Sequence, residues 1–148
     1  QAQVVSMLKP LTEYQFSIYG PGLSKATLGH INTHPQALAP FKADLASCSF
    51  VLSNAGFELI SEALQLKKRI MVKPLQGQME QQSNALALQQ LQLASRSNTL
   101  SSSIVANWLN SQPAQQFVQY PNVAKAISDW LLTDTPDSIT ALSRQLWQ

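Results

Sequence analysis

Charge is scarce in this chain. Only 12% of its 148 residues are charged, and ten basic side chains against eight acidic ones leave a formal net charge of +2. So small a balance excludes a nucleic-acid partner and gives no electrostatic grip on an anionic membrane. The single cysteine, Cys48, excludes an internal disulfide framework and suits a reducing, cytoplasmic compartment. It sits in an apolar setting with no evident base partner, which reads as a structural thiol. No apolar run is long enough to span a bilayer, and no signal-peptide pattern opens the chain. Neither a Walker phosphate loop nor a Ser-His-Asp arrangement is present. His30 and His34 are four apart, but Pro35 and the β-like run around them argue against a helical metal pair. No metal site and no cofactor is therefore expected. The chain starts at Gln1 rather than Met, which suggests a piece cut from a longer polypeptide.

What is present is an ordinary globular composition, 45% hydrophobic, at a length that suits one domain with a real core. Glutamines supply much of the polarity but are dispersed among apolar residues. Val4, Val5, Leu8 and Leu11 make an apolar stripe that predicts a helix over 3–14, with Pro10 kinking it or ending it early. Gln15–Tyr19 alternates at period two and reads as a strand, stopped by Gly20-Pro21-Gly22. His30–His34 reads as a short strand or extended link. Pro40 suits the start of a helix carrying Phe41, Leu45 and Ala46.

The organising stretch runs from Ser49 to Leu91. Phe50–Ser53 reads as a strand, Asn54-Ala55-Gly56 as a tight turn and Phe57 to about Leu66 as a helix. Ile70–Lys73 is a second strand, 74–79 a loop, and Glu80 opens a second helix. Strands alternating with amphipathic helices predict βαβ units and a parallel sheet. Such a sheet puts both Gly-containing turns on the edge where open α/β folds bind ligands. From Arg96 on the pattern looks purely helical. Asn98 or Thr99 is the candidate cap of a helix to about Asn110, and Pro113 breaks it. Asn122 caps the next helix, and a last one begins around Asp134–Pro136 and reaches Trp147. The polar run Ser95–Ser103 reads as mobile. Trp108, Trp130 and Trp147 fit core positions, and Lys67-Lys68-Arg69 reads as a solvated loop.

Three groups could carry chemistry. The first helical amides after Gly56, those of Phe57, Glu58 and Leu59, lack intrahelical partners and with the helix dipole suit an anion, phosphate best. Gly56 lets the chain bend and a ligand approach; it equally fits a plain tight turn. Glu62 shares the polar face of that helix one turn further on. A carboxylate there suits a ribose diol, and it also suits a merely solvated face. Glu80 and Gln81 open the next helix on the same edge and suit sugar hydroxyls, or simply a polar helix start. Asn84 reads as a cap or brace.

Taken together, Ser53-Asn54-Ala55-Gly56-Phe57-Glu58-Leu59-Ile60-Ser61-Glu62-Ala63-Leu64, Pro74-Leu75, Gly77-Gln78-Met79-Glu80-Gln81 and Asn84-Ala85 resemble the C-terminal, donor-binding half of GT-B fold glycosyltransferases. The likeness is to those similar to the lipid II-forming N-acetylglucosaminyltransferase, and it runs from about Phe16 to Leu93. The fold it implies is α/β: a Rossmann-like doubly wound parallel sheet over residues 1–96, then C-terminal helices over 97–148 packed on the same domain. The usual first strand, central in such sheets, is missing before Gln3, so a shifted pairing or an edge open to a neighbouring chain is expected.

The resemblance further implies a UDP-sugar donor. Gly56, Phe57, Glu58 and Leu59 would lie at its diphosphate, Glu62 at the ribose, Glu80 and Gln81 at the sugar, and Leu38 and Phe41 near the base. Gly20 and Gly22 fall in a loop that closes over the donor. Lys67 and Arg69 depart from a frequent Gly and Pro. Asn54 stands where retaining relatives often carry a second Glu, which favours inversion. The implied acceptor is a lipid or polysaccharide. The implied partner is the N-terminal half of the same protein, which holds the catalytic base; this piece carries no catalytic residue. The full enzyme would be cytoplasmic, with peripheral contact to the inner membrane, and a dimer through the incomplete sheet is open. Two alternatives remain: half of a non-hydrolysing UDP-sugar 2-epimerase, and a stand-alone nucleotide-sugar or protein-binding module.

Overall fold

A computed structural model describes residues 2–111, 115–117, 119–133 and 138–147, with the side chain of Leu38 also outside the description. It forms two compact units, residues 1–117 and 118–148.

In the first unit, the helix α1 (Ala2–Leu8) ends just before Pro10, whose ring and missing N–H cannot continue it. The strands β1 (Phe16–Tyr19) and β3 (Ile31–His34) pair in parallel, Phe16 opposite Ile31. Between them comes β2 (Ala26–Leu28), which turns at Gly29, φ +65°, and pairs antiparallel with β3. The sequence showed no strand here: β2 is three residues long and exposed throughout, so it has no buried face to imprint alternation. The helix α2 (Leu38–Ser47) starts two residues before Pro40, which still falls in the first turn where its missing donor costs nothing.

The expected βαβα run follows: β4 (Phe50–Ser53), α3 (Phe57–Gln65), β5 (Arg69–Val72) and α4 (Met79–Gln90). A two-residue strand, β6 (Ser95–Arg96), then pairs in parallel with β5. The chain after Arg96 is thus not purely helical from the start, and 95–103 is hydrogen-bonded. Ser97 N donates to Val72 O, the Arg96 guanidinium to Gln82 Oε1 and Asn98 Oδ1, and Ser97 Oγ to Thr99 O. Asn98 and Thr99 are spent in that turn. The cap of α5 (Ser102–Asn110) is instead Ser101, whose side chain accepts from Ile104 N. Pro113 lies outside the described residues.

The strands form two three-stranded sheets, in the orders β1-β3-β2 and β4-β5-β6. Both contribute to one apolar layer. Ile31 of the first sheet and Met71 of the second bury with Leu8, Val105, Trp108 and Leu109, and Phe16, Ile18, Phe50 and Leu52 pack against them. On the opposite side, Ile60, Ala63, Ala85 and Leu88 from α3 and α4 are buried, as are Ile70 and Val72 of β5. The alternation of β5 between two covered faces is what a parallel strand requires.

Lys68 and Arg69 are not a solvated loop. Lys68 Nζ donates to the carbonyls of Ala46 and Cys48. Arg69 lies over the Phe50 ring at 4.9 Å from its centroid and donates to the carbonyls of Trp108 and Ser111. It holds the C-terminal end of α5, where a cation is favoured.

The second unit contains α6 (Val123–Leu131), capped by Asn122 as expected, and α7 (Ile139–Leu146), capped by Ser138. Asp134, Thr135 and Pro136 lie outside the described residues. Trp147 is no core residue: it stands at the end of α7, 59% exposed.

Candidate functional site

Parallel pairing settles where the two bends lie. Phe50 opposes Arg69 and Ser53 opposes Val72, so β4 and β5 end together. The turn 54–56 and the loop 73–78 leave the same edge. Asn84 of α4 joins them, its Nδ2 donating to Ala55 O at 3.2 Å. The first sheet ends on this side too. Tyr14, just before β1, meets Phe50 at the start of β4 edge-on at 6.2 Å, so the strand starts are neighbours and Tyr19, Gly20 and His34 lie at the far edge.

The two glycines act differently. Gly77 has φ +80°, a left-handed conformation that side chains resist. Gly56 is the N-cap of α3 with φ −70° and ψ 137°, open to any residue. A Cβ there would stand 3.2 Å from Asn54 Oδ1, which itself accepts from Gly56 N. The bend at Gly56 thus comes from Asn54, not from glycine's freedom.

No side chain caps α3, so the first-turn amides of Phe57, Glu58 and Leu59 keep the unsatisfied character of a helix start. Phe57 is 72% exposed. Glu58 and Glu62 point to solvent on the same helix. At the second bend Met79 and Glu80 are exposed, while Gln81 is half-buried. Gln81 Oε1 accepts from Leu75 N and its Nε2 donates to Gln78 Oε1. Gln81 therefore shapes the loop, with one Nε2 hydrogen left over.

Phe41 packs edge-on against Tyr19 at 5.2 Å. Leu38 lies in the first turn of α2 and its side chain is outside the described residues. Gly20 and Gly22 sit in the turn directly after β1, Gly22 with φ +72°. Beside them is a cluster that sequence reading missed. Tyr19 stacks on His34 at 4.6 Å and donates to Asp44 Oδ2 at 2.8 Å. Burial first, then Asp44, pushes the Tyr19 phenol up to about 12. Hydrogen bonds from Ser17 and Tyr19, with the nearby His34, hold the Asp44 carboxyl below its usual range against an opposing desolvation. Tyr19 and Asp44 lie 25 positions apart, and the cluster carries no local motif. Arg96, at the end of β6, was missed likewise.

His30 and His34 take separate partners: His30 Nε2 lies 3.1 Å from Leu8 O, and His34 stacks on Tyr19. Among the described residues no three His, Cys, Asp or Glu side chains gather as metal ligands. Cys48 is half-buried, its Sγ against Leu45 O, and desolvation raises its thiol pKa.

Comparison with known proteins narrows the reading. The glycotransferase of kitacinnamycin superposes with a TM-score of 0.60 at 21% identity, over 76% of this chain and 31% of its own. The spinosyn forosaminyltransferase SpnP does so with 0.60 at 12% identity, over all of this chain and 40% of its own. The chain thus spans less than a third of one of these GT-B neighbours and two fifths of the other, and at such identities the likeness shows the fold. No curated protein matches in sequence. Residues 1–113 match the family model described as glycosyl transferase family 1. With one parallel and one mixed sheet, helices on both faces and a match over most of its length, the chain belongs to glycosyl transferase family 1.

Proposed function

We propose that this chain is the donor-binding half of an inverting glycosyltransferase. It takes a nucleotide sugar, preferably UDP-linked, whose sugar passes to a lipid or polysaccharide acceptor. The observation that carries the reading is the pair of bends at one sheet edge, tied by the Asn84–Ala55 hydrogen bond. That edge is where open α/β sheets bind ligands.

The uncapped amides of Phe57, Glu58 and Leu59 would receive the diphosphate, and the α3 dipole would stabilise charge as it leaves the sugar. Glu62, one turn along and exposed, would accept hydrogen bonds from the ribose diol. Glu80 and the spare hydrogen of Gln81 would meet sugar hydroxyls. Phe41 and Leu38 would border the base, and the Gly20–Gly22 turn would close over the donor. The catalytic base and the acceptor site would come from the rest of the protein, so this piece alone would bind donor weakly and turn nothing over. No helix among the described residues is long and apolar enough to cross a membrane.

Calorimetric titration with UDP, UDP-sugars and other nucleoside diphosphates tests this. UDP derivatives should bind best. Glu62→Ala should weaken UDP about 10- to 100-fold, the worth of hydrogen bonds to a charged group. Equal affinity for mutant and wild type removes Glu62 from the site. Absence of any nucleotide preference removes the assignment.

A further inference from the structure

Glutamine side chains hold the second bend together. β6 ends level with β5, Arg96 opposite Val72, so Arg96 stands on the same sheet edge as the two bends. Its guanidinium donates to Gln82 Oε1 at 3.3 Å and to Asn98 Oδ1 at 3.2 Å. Gln82 follows Gln81 on α4, and its Nε2 donates to Leu75 O at 3.4 Å. Leu75 N donates to Gln81 Oε1 at 3.0 Å. The backbone of Leu75 is therefore held twice, by Gln81 at its N–H and by Gln82 at its carbonyl. Gln78 completes the set: its N donates to Leu75 O at 3.3 Å, and its Oε1 accepts from Gln81 Nε2 at 2.7 Å.

We propose that Arg96 is a positioning residue for the donor sugar: it fixes the Gln82 amide, Gln82 fixes Leu75, and Leu75 aims Gln81. The proposal rests on the donor-site reading above. A glutamine amide has an acceptor end and a donor end, whereas a guanidinium has donors only. Gln82 must therefore turn Oε1 toward Arg96 and present Nε2 to the Leu75 carbonyl. Without the cation the amide is free to turn over, and an Oε1 facing the Leu75 carbonyl would repel it. Gln81 feels that change. Its Oε1 is tied to Leu75 N and one Nε2 hydrogen to Gln78, so the loop sets the plane of its amide. The plane in turn sets the direction of the Nε2 hydrogen left over for the sugar. A misplacement of about 1 Å is enough to spoil such a contact.

Two observations set this role apart from plain bracing of β6. Arg96 Nε is buried with no hydrogen-bond partner among the described residues, a penalty that an apolar side chain would avoid. The guanidinium thus stands at this edge at a cost to the fold. The network also runs through the sugar side of the site alone. The diphosphate and ribose candidates, Phe57 to Leu59 and Glu62, sit on α3. Asn84, rather than Gln81 or Gln82, makes the hydrogen bond from α4 to Ala55, just ahead of α3. Arg96 therefore bears on how the sugar is held, and not on how the nucleotide is held.

The test compares wild type with Arg96→Met, which removes the cation, and Gln82→Glu. The latter keeps a partner for Arg96 but replaces the donor to Leu75 O with an oxygen, and it carries the test alone if Arg96→Met does not fold. Amide-shift titrations give Kd for UDP and for UDP-glucose or UDP-N-acetylglucosamine, whichever wild type binds more tightly. Both variants should weaken the UDP-sugar about 10-fold and leave UDP within about 2-fold. Both should also speed exchange of the Leu75 amide about 10-fold, with no nucleotide present. An unchanged Leu75 amide in Gln82→Glu overturns the proposal whatever the nucleotides do. Equal weakening of UDP and UDP-sugar, or of neither, overturns it too and makes Arg96 a brace of the fold, while the donor-site reading stands on wild-type binding. A wild type that binds neither nucleotide overturns both.

Discussion

Gly77→Ala isolates a backbone effect from packing. The residue has φ +80°, and a Cβ built there meets nothing within 4 Å. Crowding therefore contributes nothing, and the substitution costs only what an L side chain costs in a left-handed conformation, about 1–2 kcal/mol. For a unit of this size that lowers Tm by about 4 °C per kcal/mol. Gly56→Ala is its counterpart. At φ −70° alanine is unstrained, and its stiffer unfolded chain returns about 0.4–1 kcal/mol. Against this stands the 3.2 Å approach to Asn54 Oδ1. Asn54 is exposed and can move, at the loss of one hydrogen bond worth about 1 kcal/mol. Calorimetry should thus show Gly77→Ala melting about 4–8 °C below wild type, and Gly56→Ala within about 2 °C of it. Equal losses, or the reverse order, would refute the claim that the two bends rest on different physics.

Arg69→Lys keeps the charge but loses the fork that reaches both the Trp108 and Ser111 carbonyls. Urea unfolding should show a loss of about 2 kcal/mol, and an unchanged midpoint would mean the clamp contributes nothing. Because the Asp44 carboxyl is held low, its contribution is present above the ordinary carboxylate range and lost on acidification. Asp44→Asn should accordingly flatten the decline in stability below about pH 4; a decline as steep as wild type would contradict the cluster. Tyr19, pushed up to about 12, is neutral in the fold, so its contribution is full below pH 10 and falls as pH rises through about 12. The 295 nm titration of wild type minus Tyr19→Phe should place that phenol near 12, and Asp44→Asn should lower it. A phenol unmoved by Asp44→Asn would break the link between the two.

What was legible in the sequence follows from where each signal resides. The β4-α3-β5-α4 run was readable because each element has a period and a buried face of its own: Ile60 and Ala63 on α3, Ile70 and Val72 on β5. β2 and β6 were not. β2 is wholly exposed, and β6 is the polar pair Ser95-Arg96, made a strand only by lying beside Met71 and Val72. The cap of α5 was misplaced because Asn98 and Thr99 are as suitable by type as Ser101; the turn built on Arg96 and Ser97 uses them first. Lys68 and Arg69 look solvated beside their chain neighbours, yet their acceptors lie 20 to 42 residues away. The Tyr19–His34–Asp44 cluster is likewise a product of folding. The split sheet was foreseeable from a chain that begins with a helix where a doubly wound half begins with a strand, although which edges would stay open was not.

One experiment bears directly on the proposed donor site: mapping backbone amide shifts of the isotope-labelled chain as UDP is added. The account predicts that Phe57, Glu58 and Leu59 move together with Gly77 through Gln81, and that Glu62→Ala weakens the whole response. Shifts confined to one bend, or centred on another part of the fold, would contradict it.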